Sequence, residues 1–77
     1  MQVNVELTDT FCGEANYSWV RRQRMELPDN VSDRTIVRCV KARLGYSNVP
    51  CRKEDYGDMI ALYPHKECAV IFITFNE

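Results

Sequence analysis

The residues of this chain with chemistry to offer are His65, four cysteines (Cys12, Cys39, Cys51, Cys68) and the carboxylate run Glu54, Asp55 and Asp58. An enzyme needs a nucleophile with its base, a metal set or a cofactor loop. The single histidine follows Pro64 in a stretch of turn-forming residues and reads as solvated surface. The cysteines stand far apart, without the close C-x-x-C pairs that mark a zinc site in a sequence. Three isolated glycines make no loop to cradle a phosphate. The carboxylates flank Tyr56-Gly57, which reads as a solvated turn. Paired carboxylates become acid and base through shaped burial, and spacing alone does not provide that. No catalytic, cofactor or metal residue is assigned, and the chain is not expected to be an enzyme.

What remains is binding, and here charge by segment says more than charge in total. The whole chain carries a formal charge of −1. Residues 17–45 hold seven cations against three anions, and the rest holds three cations against eight anions. Tyr17, Trp19, Arg21, Arg22 and Arg24 fall on one predicted strand. Such a strand could hold single-stranded nucleic acid by stacking bases and contacting phosphates. The near-neutral whole lacks the strong basic footprint of nucleic-acid proteins, so this is the secondary expectation.

The elements that must position these residues are few. Seventy-seven residues allow one domain with one core, and 45% apolar content argues against disorder. Met1, Val3, Val5 and Leu7 alternate with Gln2, Asn4, Glu6 and Thr8, which predicts a half-buried strand. Residues 9–16 read as a longish loop, and a second strand is expected over residues 17–27. Its parity is uneven, since Tyr17, Trp19, Met25 and Leu27 share a side with Arg21 and Gln23, so a bulge or an overhanging end is expected.

Ser32 is placed to cap a helix, with Val31 and Ile36 as its hydrophobic staple. Ile36, Val37, Val40 and Leu44 form its apolar stripe, Arg34, Arg38 and Lys41 its wet side, and Gly45 its stop. Residues 46–58 read as irregular, 59–63 as a strand, 64–67 as a turn and 68–75 as the last strand. The fold class predicted is α+β, in the order β-β-α-β-β. A mainly antiparallel four-stranded sheet carries the one helix on one face.

One helix covers one face of a sheet. The last two strands are apolar on both sides, whereas a sheet with a solvated face normally alternates apolar with polar. With the Ile-rich sides given to the helix, Met59, Tyr63, Val70 and Phe72 are left as an apolar patch on the open face. Either loops or the surroundings of the N-terminal strand cover that side, or the pair is simply central, or the patch is a contact surface for another protein or for a second copy of the chain.

No basic region followed by an apolar run opens the chain, so no signal peptide is expected, and no membrane span is present in the sequence. The cysteines are expected to be free thiols of a reducing cytosol, and the sequons at Asn16 and Asn30 to go unused. The segments GEANYSW (13–19), DYGDMIALYP (55–64) and FITF (72–75) together resemble small proteins encoded by bacteriophages and prophages, of the anti-CRISPR or anti-defence kind. That resemblance implies the cytoplasm of a bacterial host and action by occupying the surface of a host or defence complex, with no cofactor. It transfers no binding residue.

Overall fold

The structure is a computed structural model and describes residues 1–76. Its elements are β1 (Gln2–Phe11), β2 (Glu14–Glu26), α1 (Asp33–Leu44), β3 (Cys51–Asp55), β4 (Met59–Pro64) and β5 (Ala69–Asn76). The strands form one sheet in the order β2-β1-β5-β4-β3, with every neighbouring pair antiparallel. The fold is therefore α+β with one helix, and the expected count of four strands is one short. The added strand is β3. Four of its five residues are charged, so it carries no alternating apolar signal. As an edge strand it has a sheet neighbour only on the β4 side, and charged side chains are common at such edges.

The alternation of β1 sends Val3, Val5 and Leu7 to the helix side, where they are buried with Ile60, Leu62, Ile71 and Ile73. Ile36 and Val40 of α1 close this core from above, with Val37 and Leu44 packed at its margin. Burying one such aliphatic side chain stabilises the fold by roughly 1.5–3 kcal/mol. Among the described residues nine of the larger side chains, eight of them aliphatic, are essentially shut off from water.

Both ends of α1 follow from local chemistry. The Ser32 hydroxyl accepts from the Thr35 N–H at 3.2 Å, satisfying one of the free donors of the first turn. At the other end Gly45 has φ +82°, a left-handed conformation that costs a residue with a Cβ. The Gly45 N–H then bonds the Ala42 carbonyl and the Tyr46 N–H bonds the Lys41 carbonyl, closing the helix with a Schellman motif.

The loop expected over residues 9–16 is instead a tight hairpin. Cys12 (φ 55°) and Gly13 (φ +82°) form a two-residue turn, and two positive φ values match the right-handed twist of the flanking strands. The expected bulge is present and large. Thr8 pairs with Val20, but Thr10 pairs with Ala15, so Asn16, Tyr17, Ser18 and Trp19 lie opposite Asp9 alone. Tyr17 takes φ 57° within it.

Asp9 organises the bulge. Its carboxylate accepts from the Asn16 side-chain amide at 3.0 Å, from the Ser18 N–H at 2.9 Å and from the Ser18 hydroxyl. Those bonds, the Ser18 hydroxyl foremost, hold its pKa well below the usual carboxylate range.

Candidate functional site: the open face of the sheet

The even-numbered residues of β1 face away from α1, and the strand register extends that face across the sheet. One row runs Arg22, Glu6, Phe72, Ala61 and Glu54, and the next runs Arg24, Asn4, Thr74 and Met59. Arg52 and Tyr63 form a further pair on the same side. Among the described residues no helix lies over this face, since the one described helix packs on the other.

Of the four residues expected to form an apolar patch, all lie on this face, but they are not equally available. Val70 is fully buried and offers no surface in the monomer. Its row partner in β1, Thr8, is fully buried as well. The bulge lies beside Thr8. The Thr8 hydroxyl accepts from the Tyr17 N–H at 3.1 Å, and the Tyr17 hydroxyl donates to Glu6 Oε1 at 2.8 Å, so the Tyr17 side chain spans the sheet beside Thr8. Met59, Tyr63 and Phe72 remain half-buried. The Arg52 guanidinium stacks over the Tyr63 ring, 4.5 Å from its centroid, and covers part of it.

Phe72 sits in a shallow concavity of about 500 Å³, lined also by Asn4, Glu6, Arg22, Arg24 and Thr74. Polarity in this concavity is largely paired. Arg22 Nε donates to Glu6 Oε2 at 2.8 Å, and with the Tyr17 hydroxyl it lowers the Glu6 pKa. The same contact raises the Tyr17 pKa, because a nearby carboxylate disfavours the phenolate. Arg52 pairs with Glu54 at 2.9 Å in the same way. Arg24 makes no ion pair among the described residues.

The second expected set, Tyr17, Trp19, Arg21, Arg22 and Arg24, is divided by the register. Arg22 and Arg24 stand on the open face with Tyr17, whereas Arg21 pairs with Leu7 and points to the helix side. Trp19, 46% exposed, lies in the bulge. The sequence reading passed over Phe11, which at 69% is the most exposed large apolar residue. Its place at the hairpin tip follows from the Cys12-Gly13 turn, which was the available signal. Phe11, Tyr17 and Trp19 are each exposed on the β1–β2 hairpin.

Among the described residues no group of three or more histidines, cysteines or carboxylates is placed to hold a metal ion. The four cysteines are free, with Cys12 and Cys68 exposed. Burial pushes the Cys51 thiol above its ordinary value, away from the thiolate a nucleophile requires. His65 is exposed in the β4–β5 turn. No described helix is long and apolar enough to cross a membrane. No family model, curated protein or solved structure matches the chain.

Proposed function

We propose that this chain is a protein-binding module that docks through its open sheet face and acts by occupying a partner's surface. The observation that supports this most is Phe72. It is a large apolar side chain, only half-buried, at the floor of a concavity that no element of the chain covers. Aromatic anchors surrounded by a polar rim are the anatomy of protein interfaces. Here Met59 and Tyr63 extend the apolar floor, and Arg22, Arg24 and Arg52 supply the rim. The resemblance to phage proteins gives the partner its character: a complex of the bacterial host or its defence machinery, blocked as anti-CRISPR proteins block theirs. A second copy of the chain is the alternative occupant.

The nucleic-acid reading has less in its favour. Strand residues of the open face carry Arg22, Arg24 and Arg52 against Glu6, Glu26 and Glu54, so the face is balanced in charge. Phosphate backbones are held by an excess of cations that this face does not have. A salt titration of binding separates the two. An apolar protein contact persists as salt rises, whereas a phosphate contact weakens steeply. Complete loss of the captured partner at moderate salt would overturn the protein-docking reading.

A further inference from the structure

Strand β2 is the longest in the molecule and lies at the edge of the sheet, so one side of its backbone has no strand beside it. Antiparallel ladders alternate between pairs that exchange hydrogen bonds and pairs that do not. The Leu27 N–H bonds the Met1 carbonyl at 2.8 Å, which fixes the phase. Met25, Gln23 and Arg21 therefore bond inward to β1, and the N–H and C=O groups of Val20, Arg22, Arg24 and Glu26 point outward. An uncovered edge of this length is a template for another strand.

The side chains along this edge decide which strand it accepts. A second copy pairing two-fold over all four outward residues is centred on Gln23, which sets Arg22 opposite Arg24 twice, and like charges in that position are destabilising. Moving the centre to Met25 sets Arg24 opposite Glu26 but gives up the Val20 end of the edge. An extended segment with alternate acidic residues meets the opposite situation. Its carboxylates fall across from Arg22 and Arg24 on the open face. Arg21 on the other face and Arg24 make no ion pair among the described residues. The other edge strand, β3, is five residues long and balances Arg52 and Lys53 against Glu54 and Asp55, so it offers a shorter edge without an excess of cations.

We infer that the outward edge of β2 at residues 20–26 binds an extended acidic segment of a partner protein, which adds to the sheet as a sixth strand. Backbone bonds supply the affinity and the arginines the selectivity, as in other strand-addition complexes. The inference is independent of the open-face reading, because it uses the backbone edge and not the Phe72 concavity.

The chain's single tryptophan, Trp19, is exposed beside this edge and reports on it. The test is a fluorescence titration of the full chain with a blocked synthetic peptide alternating Glu with Val and Thr. A matched peptide with Lys for Glu and an oligothymidylate serve as competitors. The Glu peptide is expected to bind and change Trp19 emission, and the Lys peptide is expected to be at least about tenfold weaker. Arg24→Glu is expected to weaken the Glu peptide at least about tenfold through like-charge repulsion. Arg24→Pro removes one outward N–H without touching the β1 ladder, so it is expected to fold, by circular dichroism, and to bind more weakly. Equal binding of the Lys peptide, no binding of either peptide, or undiminished binding by a folded Arg24→Pro would overturn the inference. Tighter binding of the oligothymidylate than of the Glu peptide would also overturn it, in favour of nucleic acid. If Arg24→Pro does not fold, Arg24→Glu alone decides.

Discussion

Asp9 holds Ser18 at both its backbone N–H and its hydroxyl, and this double grip fixes the four-residue bulge that turns Tyr17 over the sheet. The bulge bonds the Thr8 hydroxyl through the Tyr17 N–H and the Trp19 carbonyl, and Thr8 is shut away from water. Because these bonds lower the Asp9 pKa in the folded state, its contribution is complete above the ordinary carboxylate range and is lost as pH falls below it. Glu6, also lowered, adds to the same loss. Thermal melts are therefore expected to show a falling midpoint below about pH 4, where carboxylates protonate in the unfolded chain. Asp9→Asn is expected to melt lower than the wild type at neutral pH and to show a shallower acid dependence. A midpoint unchanged by the substitution at neutral pH would contradict this role.

Val70 and Phe72 share a face of β5 but differ in burial, and substitutions should separate them. Val70→Asp places a carboxylate where no water reaches and is expected to cost more than about 3 kcal/mol, enough to unfold much of the population. Phe72→Asp can turn its charge to the concavity and is expected to cost less than about 2 kcal/mol. Urea denaturation of both variants checks the order. Equal losses would mean that Phe72 is as enclosed as Val70.

The helix ends offer a cleaner local measurement. Ser32→Ala removes the acceptor for the Thr35 N–H and is expected to cost about 1 kcal/mol. Gly45→Ala meets no neighbouring atom but forces a Cβ into a left-handed conformation, at about 1–2 kcal/mol. The steric space around Gly45 makes this a test of backbone strain alone. Denaturant midpoints for the two variants, at unchanged slope, read both values.

Tyr56 donates to Glu54 across the β3–β4 turn, and that bond pushes its pKa up to about 12. Glu54→Gln removes the carboxylate charge and is expected to bring this tyrosine back toward its ordinary value. An alkaline absorbance titration should show one tyrosyl step moving down. A profile identical to wild type would show that the contact does not persist in solution.

Where side-chain spacing sets the structure, the fold could be read from the residues. The strict alternation of β1, the Ser32 cap and the Gly45 stop all act through neighbours a few positions away, and each is found where its spacing placed it. Strand β3 was illegible because its pairing with β4 comes from the backbone, while Arg52, Lys53, Glu54 and Asp55 look like a solvated loop. The burial of Val70 was illegible for a different reason. Its sheet neighbour on that face is the fully buried Thr8 of β1, and no periodicity within β5 records that.

The central claim is that the open face binds a protein through Phe72. The most direct measurement is capture from bacterial lysate at two salt concentrations, using wild-type chain and Phe72→Asp side by side, with circular dichroism confirming that both are folded. The account predicts one stoichiometric protein partner that stays on the wild type at high salt and is absent from Phe72→Asp. Equal recovery of that partner by both chains, or recovery of nucleic acid alone, would contradict it.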